Sequence, residues 1–436
     1  MQSLADSMAT LKLGQPIARH AAASMPGDKS ISHRALVLAA VARGTTSICG
    51  LNEGDDVGRT RRAIAQLGAG VRTAGPATSV TGMRQPAAPS GVIDCGNSGT
   101  TMRLLMGLLA GRGATILDGD RSLRGRPMAR VARPLRRMGA VISTAPSGRP
   151  PVRLEKVAGR LRGIDYTMPF ASAQVRSALL LAGIGADGVT RVHSPLVCRD
   201  HTERLLEAMG ARIARVNNSV AVEQSALRPI DRLQVPGDLS AAVYCLCAAA
   251  SAAAGRLSLR DVGINPTRSA ALEAMRSMGV WLVVRNERNY GAEPVADIEV
   301  AGGAPLRGVE LRPDDIPNLI DEVPALCALA AVASGTTVVR GAAELRVKES
   351  DRIAAIVDVL TVFGADAAPT ADGLIVRGGR TLRAPHSVRT GGDHRIGMMA
   401  ALLGVATASP IEIEDADCIA TSFPGFGPAW KALFIG

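Results

Sequence analysis

The sequence predicts an α/β protein of two domains, each built from three copies of one small unit. Three observations carry this. One unit recurs six times along the chain, a second helix inside five of the units ends in the same way, and 436 residues exceed what one small core fills.

The recurring unit is a polar loop, an Ala/Leu-rich helix, a Gly-containing break and a short β-branched strand. The first copy runs from Pro26-Gly-Asp-Lys-Ser through helix Ile31 to Arg43, a break at Gly44 and strand Thr45 to Ile48. The second is Cys95-Gly-Asn-Ser-Gly-Thr, helix Met102 to Ala110 and strand Ala114 to Leu117. Ala171-Ser-Ala-Gln, helix Val175 to Ile184 and strand Val189 to Val192 make the third. The fourth joins Pro236-Gly-Asp-Leu-Ser and a helix to Ala254 with strand Arg256 to Leu259. The fifth runs from Asp315-Ile-Pro-Asn to Ser334, then strand Thr336 to Val339. The sixth is Gly391-Gly-Asp-His, a helix to Ala406 and strand Pro410 to Ile413. Between copies a second helix stops at an apolar residue and Gly, at Gly68, Gly139, Gly210, Gly279 and Gly364. Glycine suits the left-handed position that ends a helix.

The main helices are expected to begin at Lys29, Thr100, Ala173, Ser240, Asn318 and His394, each with Ser, Thr or Asp near the cap. Helix N-termini attract anions through free N–H groups and the dipole. If several converge on one cleft between two three-unit domains, that cleft is an anion trap.

Composition narrows the function. Fifty Lys and Arg against 39 Asp and Glu give a net charge of +11, which favours anionic partners. The basic residues are dispersed, and aromatics at 2% cannot supply stacking platforms, so nucleic acid is an unexpected partner. The seven cysteines lack the spacing of a zinc or redox motif, and the six histidines form no ligand cluster, so neither metal nor cofactor is expected. Residues 1–24 lack the pattern of a secretory signal, and no apolar run reaches the ~20 residues of a membrane span. A cytoplasmic protein without a membrane partner is expected.

Several motifs now stand in series: Pro26-Gly-Asp-Lys-Ser-Ile-Ser-His-Arg34, Gly96-Asn-Ser-Gly-Thr-Thr-Met-Arg103, Arg124-Gly-Arg-Pro127, Ser172-Ala-Gln174, Arg199-Asp-His-Thr-Glu-Arg204, Arg346-Val-Lys-Glu-Ser-Asp-Arg352 and Asp393-His-Arg395. Together they resemble the 5-enolpyruvylshikimate-3-phosphate synthases, from about residue 14 onward. The resemblance implies a two-domain inverse α/β barrel, with six βαβαββ repeats arranged three per domain. Residues 26–235 would form one domain and 1–25 with 236–436 the other, with the active site in the cleft between them. It implies transfer of the enolpyruvyl group of phosphoenolpyruvate to the 5-hydroxyl of shikimate-3-phosphate, by a cytoplasmic, cofactor-free monomer.

By the same resemblance Lys29, Ser30, Arg34, Ser172, Ala173, Gln174, Arg199, Asp321 and Lys348 would bind shikimate-3-phosphate. Lys29, Gly99, Thr100, Arg126, Gln174, Arg352 and Arg395 would bind phosphoenolpyruvate. Asp321 and Glu349 match the acid–base carboxylates, with Lys29 assisting. The chemistry suits these types. The hydroxyl attacks C2 of phosphoenolpyruvate as it loses its proton, C3 gains one, and phosphate then leaves with C3 deprotonated. Arginine forks clamp phosphates and carboxylates, and no phosphoryl group moves, so a kinase-like metal clamp is not required.

Taken singly, the same residues have plainer readings. Lys29 and Arg34 suit a capped, solvated first turn, Lys348, Glu349 and Arg352 sit at the spacing of a surface helix, and Asp321 or Asp393 could simply cap helices. Joint occurrence in symmetric loops outweighs those readings. Departures from the family pattern are Glu344 where Asn is common, Ala173 for Ser, and Ile419-Ala-Thr-Ser-Phe-Pro424 without the usual Lys. Gly99 keeps the small residue that leaves room for the inhibitor glyphosate. The sister enzymes that act on UDP-N-acetylglucosamine carry a Cys before their Arg-Pro; Asp120-Arg-Ser-Leu-Arg-Gly-Arg-Pro127 has none. A non-catalytic anion- or nucleic-acid-binding protein would explain the charge but not Asp321 and Glu349.

Overall fold

The repeat appears in the computed structural model, which describes residues 10–13, 20–89 and 91–435, as six small sheets. Five share one order. A leading strand lies parallel to a second, which pairs with the far arm of an antiparallel hairpin, as in Ile93–Asp94, Thr115–Asp118, Val152–Leu154 and Ile142–Thr144. Helices Gly99–Leu109 and Ala129–Arg137 make the connections, giving βαβαββ.

Two leading strands are exchanged along the chain. His20–Ser24, which precedes the first motif, pairs with Arg256–Arg260 of the fourth repeat. Leu233–Gln234, which precedes the fourth repeat, pairs with Ile48–Cys49 of the first. By contact density the chain divides into a first lobe, Gly27–Pro236 with Asn289–Pro294, and a second, Met1–Pro26 with Gly237–Arg288 and Val295–Gly436. The Asn289–Pro294 segment is the tip of a hairpin whose arms are Trp281–Tyr290 and Glu293–Ala301. The sixth sheet has three strands, and Leu11–Leu13 closes it antiparallel to Ile411–Ile413. The final helix, Phe426–Phe434, stacks Phe426, Trp430 and Phe434 along one side.

Six helices form the middle of the lobes: α1 (Lys29–Ala39), α2 (Gly99–Leu109), α3 (Ala173–Gly183), α4 (Leu239–Ser251), α5 (Val323–Val332) and α6 (His394–Ala406). They are buried almost all round, as expected of helices apolar on every face. In the first lobe α2 packs on α1 and α3, and in the second α4, α5 and α6 pack on one another. Each lobe has its own apolar core.

Small residues set the helix spacing. A Cβ on Gly107 of α2 would lie 2.2 Å from the Ala178 carbonyl oxygen and 2.6 Å from its Cα in α3. That obstacle is backbone and cannot rotate away. Alanine's helix-propensity advantage over glycine is ~1 kcal/mol, whereas overpacking costs ~1–3 kcal/mol. Gly107→Ala is therefore expected to destabilise the fold, read as a lower denaturant midpoint.

The second helices end as the sequence implies. Gly68, Gly139, Gly210, Gly279 and Gly364 all have positive φ, between 80° and 102°. Two readings need correction. The fifth main helix is not continuous; Ile316–Leu319 stops and α5 restarts at Val323, leaving Asp321 and Glu322 in the break. Pro324 is the reason, since it lacks an N–H and its ring excludes the carbonyl four residues earlier. The plainer reading of Lys348, Glu349 and Arg352 as one surface-helix face, already outweighed in the sequence, does not hold either. The first two lie in the turn before helix Arg352–Val362, which Asp351 caps at the Ala354 N–H. Helices α2 and α4 begin one residue earlier than expected. Among the described residues no helix is long and apolar enough to cross a membrane.

Candidate active site

In the first lobe the predicted residues gather at the N-termini of α1, α2 and α3. Asp28, Ser98 and Ser172 each accept a hydrogen bond from an N–H three residues on, namely Ile31, Thr101 and Val175. Capping uses one backbone N–H per helix and leaves Lys29, Ser30, Gly99, Thr100, Ala173 and Gln174 in the first turns.

The cations there are held by acids and amides at a distance in sequence. Lys29 Nζ lies 3.0 Å from Asp56 Oδ2, with both side chains largely buried. Arg103 donates to Gln174 Oε1, and Gln174 Nε2 donates to Thr100 Oγ1 at 2.8 Å, so α2 and α3 are tied across their first turns. Arg126 donates to Asn97 Oδ1, whose amide nitrogen donates to Asp120 at 2.8 Å. Arg34, read as a substrate contact, is buried; its fork reaches Thr202 Oγ1 at 2.8 Å, the Ser30 carbonyl at 2.9 Å and Ser177 Oγ at 3.0 Å. Arg199 is half-buried, and its carbonyl accepts from Arg176, which also pairs with Glu203 at 2.6 Å. His33 donates to or accepts from Thr60 at 2.7 Å. Burial first, then the charges of Lys29 and Arg34, hold its proton affinity well below the usual histidine range.

In the second lobe the predicted residues converge on one guanidinium. Arg352 is 1% exposed. Its Nε and Nη2 grip both oxygens of the fully buried Asp393, at 2.8 and 3.2 Å. Nη1 reaches Asp321 Oδ1 at 3.3 Å, and Nη2 reaches Glu349 Oε2 at 2.5 Å. Burial alone would lower the proton affinity of Arg352, but Asp393, Glu349 and Asp321 more than reverse that and raise it well above the ordinary range. Asp393 also accepts from Ser350 Oγ at 2.9 Å and from the Arg395 N–H that opens α6. Lys348 Nζ lies 3.9 Å from Asp321.

Arg395 is buried with its guanidinium 5.7 Å from the Tyr244 ring centre. The Tyr244 hydroxyl donates to the Asp321 carbonyl at 3.3 Å. A buried chain lies beside them: Arg268 donates to Asp238 at 3.0 Å and to Ser240 at 2.7 Å, and Ser240 donates to Glu322. The break before Pro324 thus has its carbonyl and carboxylate groups tied to α4.

Among the members of these networks that escape sequence reasoning are Asp56, Asn97, Arg103, Tyr244 and Asp393. Asn97, Arg103 and Asp393 lie inside quoted motifs, which is the one signal that could have found them. Asp56 and Tyr244 carry none. Among the described residues no group of three His, Cys, Asp or Glu side chains is arranged to hold a metal ion.

The arrangement offers helix N-termini and cations in one lobe, and two partly exposed carboxylates on a buried arginine in the other. Such groups can bind phosphate or carboxylate anions and move protons at a substrate hydroxyl or carbon. Comparison with known proteins points the same way. A family model described as EPSP synthase (3-phosphoshikimate 1-carboxyvinyltransferase) matches residues 18–430. The 3-phosphoshikimate 1-carboxyvinyltransferase of Desulforudis audaxviator is 46% identical over 431 residues, covering 97% of this chain and 99% of that one. The protein of the same name from Methylococcus capsulatus is 46% identical over 411 residues, covering 92% of each chain. A solved EPSP synthase from Acinetobacter baumannii superimposes with a TM-score of 0.84 at 40% identity, covering 97% of both chains.

Proposed function

The chain belongs to the EPSP synthase family, and from that premise we propose that it joins phosphoenolpyruvate to the 5-hydroxyl of shikimate-3-phosphate, releasing phosphate. The observation that carries the assignment of roles is the Arg352 cluster, which ties Asp321 and Glu349 to one guanidinium. Asp321 takes the proton of the 5-hydroxyl as its oxygen attacks C2. Glu349, assisted by Lys29, protonates C3; the same carboxylate later removes a C3 proton while the C–O bond to phosphate breaks. The 3-phosphate is held by Ser172, the Ala173 N–H, Gln174 and Arg199, with Ser30, Arg34 and Lys348 on the ring and its carboxylate. Phosphoenolpyruvate lies against Gly99, Thr100, Gln174, Arg126, Arg352 and Arg395, with Lys29 meeting both substrates.

The Arg352 guanidinium that holds Glu349 is the one we place against phosphoenolpyruvate, so the carboxylate and the substrate anion share one cation. We propose further that it acts in the cytoplasm, as a monomer; its free cysteines suit a reducing compartment.

Gly99 supplies a direct test. A Cβ there would lie 3.0 Å from Arg103 Nη1 and 3.3 Å from Arg126 Nη1, the far ends of side chains that can give way. Gly99→Ala should leave kcat within a few-fold, raise KM for phosphoenolpyruvate about tenfold, equivalent to ~1.4 kcal/mol, and weaken glyphosate inhibition further. Wild-type turnover that saturating glyphosate leaves unchanged would count against the phosphoenolpyruvate-site assignment.

A further inference from the structure

The opposite ends of α1, α2 and α3 carry a second concentration of positive charge that the reaction does not use. Two adjoining cavities, of about 360 and 370 Å³, open there and share Val41, Arg112 and Gln224 in their walls. Each is large enough for a small ligand. Arg84, Arg112 and Arg160 line one cavity, and Arg43, Arg112 and Arg212 the other, with no Asp or Glu in either wall. Arg160 is paired with Asp187 at 3.2 Å and Arg212 with Glu223 at 3.3 Å. Among the described residues the side chains of Arg43, Arg84 and Arg112 make no hydrogen bond or ion pair.

Arg112 is the informative member. It follows Gly111, whose positive φ of 71° turns the chain out of α2, and it is half-buried. Its guanidinium lies on Gly185, just past α3; a Cβ there would sit 1.7 Å from Nη2 and 2.5 Å from Cζ. The arginine thus occupies space that only a glycine leaves. Burial without a nearby carboxylate lowers its proton affinity from the ordinary arginine range. Helix C-termini favour cations, but only weakly. That does not offset gathering Arg43, Arg84 and Arg112, which have no ion-pair partner among the described residues, around walls without Asp or Glu.

We propose that these cavities form a second anion site, which takes a small phosphate-bearing molecule between Arg112, Arg84 and Arg43. The site lies about 16 Å from the first-lobe residues of the active site, the length of an 11-residue helix. It does not depend on the assigned reaction.

Pyrophosphate is the probe, with inorganic phosphate as the smaller comparison, and titration calorimetry is the measurement. Lys29→Met weakens anion binding at the active site and should leave this second binding event intact. Arg112→Met, and separately Arg84→Ser at an exposed position, should each weaken it about tenfold or more, the scale of a charge-assisted hydrogen bond. In phosphate-free buffer Arg112→Met should unfold at the same or a higher temperature than wild type, because it loses a charge without an internal partner. Pyrophosphate binding that both Arg112→Met and Arg84→Ser leave unchanged, or that Lys29→Met abolishes entirely, would overturn the proposal. Tighter binding of pyrophosphate than of phosphate would assign the site to diphosphate-sized ligands, and the reverse order to monophosphates.

Discussion

Asp393→Ala is expected to cost about 3 kcal/mol of folding stability, the low end of the ~3–5 kcal/mol typical of breaking a buried ion pair. The low end applies because Arg352 keeps Glu349 and Asp321 as partners after the loss. Loss of the α6 cap contributes to the same total, since a cap alone is worth ~1 kcal/mol. Activity should fall by at least about 100-fold, because the substitution releases Arg352 and the first turn carrying Arg395 together. Asp393→Asn keeps an oxygen for the cap but not the charge, so it should recover much of the stability and little of the turnover. Equilibrium denaturation and steady-state kinetics on both variants measure this. A loss below about 1 kcal/mol for Asp393→Ala, less than a typical cap and buried ion pair together, would show that Asp393 does not organise the cluster.

Glu349→Gln should behave in the opposite way, with small effects on folding and large ones on rate. Arg352 keeps the two-oxygen grip of Asp393, and Glu349 is partly exposed, so little stability is at stake. The amide cannot deliver a proton to C3 or take one back, so kcat should fall by ~10²–10⁴, the range of general acid–base help. KM for phosphoenolpyruvate should change by only a few-fold, since the arginines that bind it remain. Near-normal kcat would place the proton donor elsewhere, with Lys29 the next candidate.

What was legible in the sequence was local. Glycines that end helices and the Asp or Ser residues that cap them act within a few residues, and Gly68, Gly139, Asp28 and Ser172 appear in those roles. The motifs also placed the first-lobe residues on helix N-termini. Pairings over long separations were not legible. Asp393 read as a cap, and it is one, but its hold on Arg352 spans 41 residues of chain. The Arg103–Gln174 bond spans 71, and Arg34–Thr202 spans 168. The exchange of His20–Ser24 and Leu233–Gln234 between repeats was hidden because a leading strand of two to five residues has almost no pattern of its own. The break at Asp321 and Glu322 was signalled by Pro324 but outweighed by the apolar run around it.

The charge that began as a diffuse excess resolves into residues from different repeats, with Lys29 and Arg126 in one lobe and Arg352 and Arg395 in the other. Whether they serve one reaction is best decided by phosphate release from phosphoenolpyruvate, measured on the purified protein with shikimate-3-phosphate or with UDP-N-acetylglucosamine as acceptor. Release that depends on shikimate-3-phosphate, and not on the nucleotide sugar, is the predicted result; release only with the nucleotide sugar, or with neither, would contradict it.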